Sequence, residues 1–339
     1  MLITLDEYEE GVHTYYICDC VVRDRNMFTF IADSWYTDEE VEEEEREGWD
    51  PSFRPKRILP FFRDDPEGDR LGWETLNDWG HIEGGAALLP INQFVGIERE
   101  NDRVYISGGG EVYEDTPLTN ALPNNPLRGG IRRVKTLGEY VYICGGNRSF
   151  GKRLGKGEWF SHNAGFPETA GTNNNEGFED FDGFSEDDIY AAGGKGDVWH
   201  FNGQKWRQIP FPTNAWVKAV CCGGDGNVYI SCYEGLTFMG RENRWKKIHN
   251  GGIYLGWRDM VWYEDRVWCS NDNGLWTIRN GRVEYQRDLP SEISVCSGHL
   301  YTNDGVLLMA GMGGAAFLEN GQWQVIFLRG EMEKRLRDK

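Results

Sequence analysis

The chain carries six histidines, His13, His81, His162, His200, His249 and His299, and no two stand at a spacing that would hold a metal ion from one strand or helix. Its eight cysteines are Cys18, Cys20, Cys144, Cys221, Cys222, Cys232, Cys269 and Cys296. The Cys221-Cys222 doublet has no C-x-x-C partner, so a zinc or redox site is not indicated. Cys144 and Cys269 lie in strand-like runs, where a thiol behaves as a small hydrophobe. Asp180, Asp182, Glu186, Asp187 and Asp188 crowd around one short apolar run. They read chiefly as solvated turn residues, with a calcium site as the alternative. Gly108–Gly110 and Gly193-Gly194 would suit a phosphate only if they opened a helix, and neither does. No G-x-S-x-G nucleophile elbow occurs. No catalytic residue, metal or cofactor is assigned on this basis.

The elements that position these residues repeat. Tyr190, Tyr229, Trp268 and Leu307 are each 39 residues apart, as are Gly196, Gly235, Gly274 and Gly313. A third series runs Trp206, Trp245, Glu284 and Trp323, with Glu284 alone breaking the aromatic rule. One copy, Asp188–Ile209, contains a short apolar strand, a glycine turn, a second strand, an Asn202-Gly203 hairpin signal and a third strand opening on Trp206. A further apolar run precedes each copy: Phe178–Phe184, Val217–Cys222, Trp257–Tyr263 and Ile293–Leu300. Four short strands per unit of about 40 residues describe a propeller blade. The tryptophan column reads as a packing ladder between blades, and a ring of ligand-stacking aromatics is the alternative.

The expected fold is all-β, a seven-bladed β-propeller of four-stranded antiparallel blades. The alternative is six blades plus an N-terminal appendage. One domain should span residues 1–330. Residues 12–77 form a divergent first blade from Val12–Val22, Met27–Ser34, Arg57–Arg63 and the Trp73–Leu76 edge, interrupted by an acidic insertion at 36–55. Residues 90–327 supply six further blades. The second is expected to begin near Ile91 with Phe94–Ile97 as its inner strand. In the third, Ile131–Leu137 and Tyr140–Cys144 lead to Trp159 in the ladder position. Residues 331–339 are a charged tail able to form a short helix, and Met1–Leu5 could add a strand to the last blade.

The strand–Asn-Gly–Trp unit, as in Val198–Trp206, resembles the BNR/YVTN-type bacterial propeller repeats. The resemblance covers 90–327 well and 12–77 poorly. The chain lacks the Gly-His and Trp-Asp pairs of WD40 blades, and no copy keeps an intact sialidase Asp-box. The resemblance therefore implies a fold far more than an activity.

Net charge is −19, from 36 Lys and Arg against 55 Asp and Glu, which argues against nucleic acid and favours a basic partner. The first residues carry no basic start and no apolar core of signal length, and no apolar run is long enough to span a membrane. A cytoplasmic, monomeric protein with reduced thiols is expected. In an antiparallel blade, the loop after the second strand shares an end with the connection to the next blade. The acidic insertion is of the first kind, and Asn163–Gly177 is of the second. Long loops on a rigid scaffold are where binding concentrates. The residues expected to meet a protein partner there are Glu42, Glu43, Glu44, Glu45, Glu47, Trp79, Phe166, Phe211, Trp216, Tyr233 and Tyr254. The function expected is non-catalytic protein binding. A specific version, by analogy with stand-alone acidic proteins of this kind, is an immunity protein that neutralises a bacterial toxin. The alternative is a carbohydrate-binding or carbohydrate-processing propeller working at the mouth of the central channel.

Overall fold

The computed structural model describes residues 1–36, 40, 50–118, 124–167, 177–253 and 256–339. Seven four-stranded antiparallel sheets follow one another along the chain, and the protein is a seven-bladed β-propeller. The first blade is β1 (Tyr15–Asp24), β2 (Met27–Ser34), β3 (Lys56–Phe62) and β4 (Glu74–Leu76), so residues 12–77 form a blade and not an appendage. The second is β5 (Ile82–Ala87), β6 (Gln93–Glu98), β7 (Val104–Gly108) and β8 (Glu111–Asp115). The third runs from β9 (Ile131–Leu137) through β10 (Tyr140–Gly145) and β11 (Ser149–Gly155) to β12 (Glu158–Ser161). The fourth is β13 (Asp180–Ser185), β14 (Asp188–Gly193), β15 (Asp197–Phe201) and β16 (Trp206–Ile209). The fifth is β17 (Val217–Cys222), β18 (Val228–Cys232), β19 (Leu236–Arg241) and β20 (Arg244–Asn250). The sixth is β21 (Asp259–Tyr263), β22 (Arg266–Asn271), β23 (Gly274–Arg279) and β24 (Arg282–Tyr285), and the seventh β25 (His299–Asn303), β26 (Val306–Gly311), β27 (Gly314–Glu319) and β28 (Gln322–Leu328). Among the described residues no helix is long and apolar enough to cross a membrane.

The chain divides into two compact units, Gly85–Gln286 and a second made of Met1–Gly84 with Arg287–Lys339. Inside Gly85–Gln286 the core is a series of clusters, one at each blade boundary. Trp159 packs with Val95, Ile106 and Val141 between the second and third blades, and Trp206 with Phe150, Phe178 and Phe181 between the third and fourth. Trp245 lies against the cluster of Val198, Val217 and Ile230 between the fourth and fifth. The tryptophan column is therefore a packing ladder. In the sixth blade, where Glu284 is exposed, the neighbouring Tyr285 tilts onto Trp276 at 5.1 Å.

The glycine column has a steric cause. A Cβ on Gly196 would lie 2.2 Å from the carbonyl oxygen of Thr213, and one on Gly235 would meet Ile253 at 2.7 Å. Both glycines sit at φ of +74° and +76°, a region closed to most side chains. In each case the connection leaving the blade passes directly over the turn between its second and third strands.

In the other unit the first and seventh blades share one core with two helices, α1 (Leu5–Gly11) and α3 (Arg329–Arg337). Phe28 of the first blade meets Phe317 of the seventh at 5.2 Å, and Arg25 and Arg63 both pair with Glu319, at 2.8 and 2.7 Å. Among the described residues no strand is exchanged between these two blades. Instead the chain ends clasp each other. Thr4 and Glu7 form a reciprocal capping box that starts α1, and Leu2 donates its backbone N–H to Ile326 at 2.8 Å. The Tyr8 hydroxyl, fully buried, donates to Glu333 at 2.6 Å, and His13 reaches the same carboxylate at 3.0 Å. Burial pushes the Glu333 carboxyl up, but the hydrogen bonds from Tyr8 and His13 and the charge of Arg329 hold it below its ordinary value.

Four sequence expectations change. The inner strand of the second blade is Ile82–Ala87, not Phe94–Ile97, which belongs to the next strand outward. Its glycines hid it: a Cβ on Gly85 would press on Val134 and Val141 at 3.2 Å, so small residues replace the usual β-branched ones. Ile293–Leu300 is not one strand. Ser291–Ser294 forms a helical turn, α2, which buries Ile293, and the inner strand starts at His299. Met1–Leu5 adds no strand, and residues 12–14 turn out of α1 before β1 begins at Tyr15. Finally, a tight two-residue hairpin with both residues at positive φ occurs at Asn280-Gly281 and Asn320-Gly321, but not at Asn202-Gly203. There the loop spans 202–205, and the Asn202 side chain accepts from the backbone of Gln204 and Lys205.

Candidate protein-binding surfaces

Of the residues assigned to a partner surface, Glu42, Glu43, Glu44, Glu45, Glu47 and Tyr254 lie outside the described residues. Trp79 and Phe166 are buried, at 1% and 5% exposed. Phe166 folds back from its loop to sit edge-on to Phe178 at 5.3 Å and Trp199 at 5.1 Å, and 5.0 Å from Trp206. An aromatic ring in a long connection can extend the core beneath it as readily as reach outward, and loop position alone does not distinguish the two. Phe211 is half-buried against Phe238 and Trp245, at 5.0 and 5.1 Å.

Trp216 and Tyr233 are brought together. The Tyr233 backbone N–H donates to the Trp216 carbonyl at 2.9 Å, and Trp216 bridges Lys195 in the preceding blade's turn. The Tyr233 ring is 52% exposed, and the Lys218 ammonium lies 4.7 Å from its centroid. Backbone pairing between a turn and a connection thus holds these rings at one end of the fifth blade.

The inner strands carry charge that is spent internally. Arg133 on β9 donates to Asp259 on β21 at 2.9 Å and lies 3.5 Å from Asp180 on β13. Lys135 pairs with Asp180 at 2.6 Å, and Asp180 and Asp182 also accept the backbone N–H groups of Val220 and Cys222. Burial pushes the Asp182 carboxyl up to about 6, against the pull of Lys135. The Asp180 and Asp182 carboxylates that sequence reading placed in a turn cluster are therefore rungs between neighbouring inner strands. Among the described residues no group of three or more His, Cys, Asp or Glu is placed to hold a metal ion.

A cleft of about 450 Å³ opens between the third and fourth blades, lined by Tyr142, Lys152, Phe160, His162, Glu186 and Phe201 among others. The Tyr142 hydroxyl donates to Glu186 at 2.7 Å, and Lys152 bonds the same carboxylate. Burial raises the Glu186 carboxyl, yet those two hydrogen bonds outweigh it and keep the group ionised. Burial, with the charge of Lys152, pushes His162 down to about 4. Neither group is poised to exchange a proton at neutral pH. The cysteines are free, and burial raises the thiols of Cys18, Cys144, Cys221, Cys222 and Cys269 well above their ordinary value, which makes them poor nucleophiles.

Sequence reading singled out neither Val112, 61% exposed, nor Phe160, 50% exposed, nor three residues of the unit that holds the chain ends: Trp35 at 51%, Val295 at 50% and Met312 at 46%. Each of those three lies at the end of its blade where the second-strand turns and the inter-blade connections run. Trp35 carried a signal, since it is the residue at which β2 gives way to the acidic insertion.

No family model matches the chain. It is 27% identical over 243 residues to the immune protein Tsi7 of Pseudomonas aeruginosa, a match covering 71% of this chain and 76% of Tsi7. Among solved structures, YCF48 bound to D1 peptide superposes with a TM-score of 0.59 at 13% identity, over 93% of this chain and 95% of that one. The WD40 repeats of RRP9 give 0.58 at 12% identity, over 93% and 92%. PorZ, a surface component of the type-IX secretion system of Porphyromonas gingivalis, gives 0.56 at 12% identity; the match covers 92% of this chain, which spans only 38% of PorZ. At such identities the solved structures speak for the fold alone: the chain has the β-propeller fold of these proteins, and in sequence it is similar to an immune protein.

Proposed function

We propose that this chain is an immunity protein, a non-catalytic propeller that binds a protein toxin and neutralises it. The observation that carries the reading is the match to Tsi7, which runs through 243 residues and so through most of the propeller. The charge of −19 supports a basic toxin as the partner, because complementary fields speed encounter and suppress wrong partners. Action in the cytoplasm as a monomer belongs to the same proposal. Trp216 and Tyr233 offer aromatic surface at one end of the fifth blade, and Phe211, Glu42–Glu45 and Glu47 are assigned to the partner surface with them. The carbohydrate reading gains less, since the inward carboxylates Asp180 and Asp259 are already paired with Lys135 and Arg133.

The test is growth protection. A bacterium expressing the cognate toxin should stop growing alone and resume growth when the chain is co-expressed. The two purified proteins should also elute as one stoichiometric complex. Undiminished toxicity, with both proteins soluble and eluting apart, would overturn the reading.

A further inference from the structure

We propose that the cleft between the third and fourth blades, lined by Phe160, His162, Phe201 and Asp187, receives an arginine side chain of a protein partner. The proposal rests on the immunity reading for the partner, and it names where the toxin is gripped and by what chemistry. Tyr142, Lys152 and Phe160 stand opposite one another across three strands of the third blade, so their side chains share one face. Phe150 is closed over by Trp206 and Phe181 of the fourth blade, each at 5.0 Å. Beyond that contact the fourth blade offers Glu186 and Asp187 from one turn and Gly203 and Gln204 from another. The space between stays open, and Phe160 and Leu154 on its wall are 50% and 40% exposed.

The rings that line the cleft hold one another. His162 stands edge-on to Phe160 at 4.7 Å and to Phe201 at 5.4 Å, and its backbone N–H donates to the Phe150 carbonyl at 2.9 Å. Burial and the charge of Lys152 keep the imidazole neutral, and among the described residues neither ring nitrogen has a hydrogen-bond partner. Asp187 is exposed, and the loop spanning 202–205 lies against it: a Cβ on Gly203 would come 3.2 Å from its Oδ1. Among the described residues its carboxylate has no hydrogen-bond or ion-pair partner. Lys152 is already engaged, bonded to Glu186 and 3.6 Å from the Tyr140 ring centroid. Glu186 and Asp187 against Lys152 leave the lining with a net negative charge.

The chemistry of the occupant follows from that lining. A purely apolar side chain would cover the rings but desolvate the Asp187 carboxylate without pairing it, which costs free energy. An acidic one would be repelled. A cation answers both the rings and the carboxylate, since aromatic faces attract positive charge. Arginine fits better than lysine, because a planar, weakly hydrated guanidinium stacks on rings and spreads several N–H donors. Those donors can reach the Asp187 carboxylate and the lone pair of the neutral His162 imidazole together. A volume of about 450 Å³ is ample for one such side chain. The net charge of −19 draws the same class of partner toward the molecule.

Two probes test this on the full chain. The first is a blocked Gly-Arg-Gly tripeptide, titrated while the His162 ring resonance is followed by NMR. It should give a saturable shift. Its citrulline counterpart, which keeps the shape and lacks the charge, should bind about tenfold or more weakly, and its lysine counterpart should fall between the two. Asp187→Asn and Phe160→Ala should each abolish the shift and leave the melting temperature nearly unchanged, whereas Val112→Ala on the second blade should behave as the parent. No saturable shift, or an equal one from the citrulline tripeptide, overturns the proposal. A saturable shift from methyl glycosides but not from the arginine tripeptide overturns it in favour of carbohydrate binding. The second probe is the toxin whose growth inhibition the chain relieves. Asp187→Asn and Phe160→Ala should each weaken its binding by about tenfold or more, the cost of a central interface contact. If the toxin binds both variants as it binds the parent, the cleft is not its seat and the immunity reading stands. If the parent neither protects nor binds, the immunity reading falls, and with it the toxin as the source of the arginine.

Discussion

Asp102 occupies the turn between β6 and β7 at φ of +56°, and burial, with the nearby charge of Glu98, pushes its carboxyl from 3.8 up to about 6. A carboxylate raised in the folded state is one the fold prefers to keep protonated. The unfolded chain releases its proton first as pH rises, so stability falls between about pH 4 and pH 6 and stays lowered above that window. Asp182, raised to about 6 by burial, adds to the same slope. Asn keeps the shape of Asp102, tolerates positive φ and cannot ionise. Asp102→Asn should therefore stabilise the protein at pH 7.5 by on the order of 1–2 kcal/mol and change little at pH 4. Thermal melts across that range would show the slope flatten; a parallel shift at every pH would contradict the assignment. Glu333 works in the opposite direction. Held below its ordinary value by Tyr8, His13 and Arg329, it contributes stability that disappears as pH falls through its folded-state value.

At the scale of the element, the boundary between the third and fourth blades depends on Trp206. The ring is 5% exposed, lies 5.0 Å from both Phe150 and Phe166, and donates its indole N–H to the His162 carbonyl at 2.9 Å. It thereby joins the outer strand of one blade, a strand of its neighbour and the long connection between them. Trp206→Ala should cost about 3–5 kcal/mol, the range for a large buried aromatic. Calorimetry should show a lowered melting temperature, and an unchanged one would return the ladder to the ligand-stacking reading. Trp245, half-buried on Phe211, should cost less for the same substitution. The clasp of α1 and α3 follows a different logic, with capping and charge-assisted hydrogen bonds fixing the chain ends.

For the molecule as a whole, the charge of −19 governs how a partner arrives more than how tightly it is held. The Debye length is about 10 Å at 0.1 M salt, so steering by acidic residues weakens as salt rises. Deletion of Asp38–Glu47 should leave the melting temperature nearly unchanged and slow association with the toxin at low salt, with dissociation little altered. Stopped-flow association at two ionic strengths would check this. A deletion variant that associates at the parent rate in low salt would remove the steering role from this segment.

The architecture was legible in the sequence wherever a blade is regular. Columns such as Tyr190–Tyr229–Trp268–Leu307 and Gly196–Gly235–Gly274–Gly313 recur because each blade must bury the same face against the next, and that demand is local and periodic. The third blade and the four strands of the first were recognisable from short apolar runs for the same reason. Tertiary structure alone decided the rest. Ile82–Ala87 is a strand because Val134 and Val141 leave room there only for small residues, a constraint that lies some fifty residues away in the chain. Phe166 and Trp79 are buried, and Trp35 is exposed, because the destination of a loop ring depends on what its fold places beside it. Arg329, close to the far end of the chain, reaches back to the Met312 carbonyl and to the Trp35 ring, and no spacing within a single blade encodes that meeting.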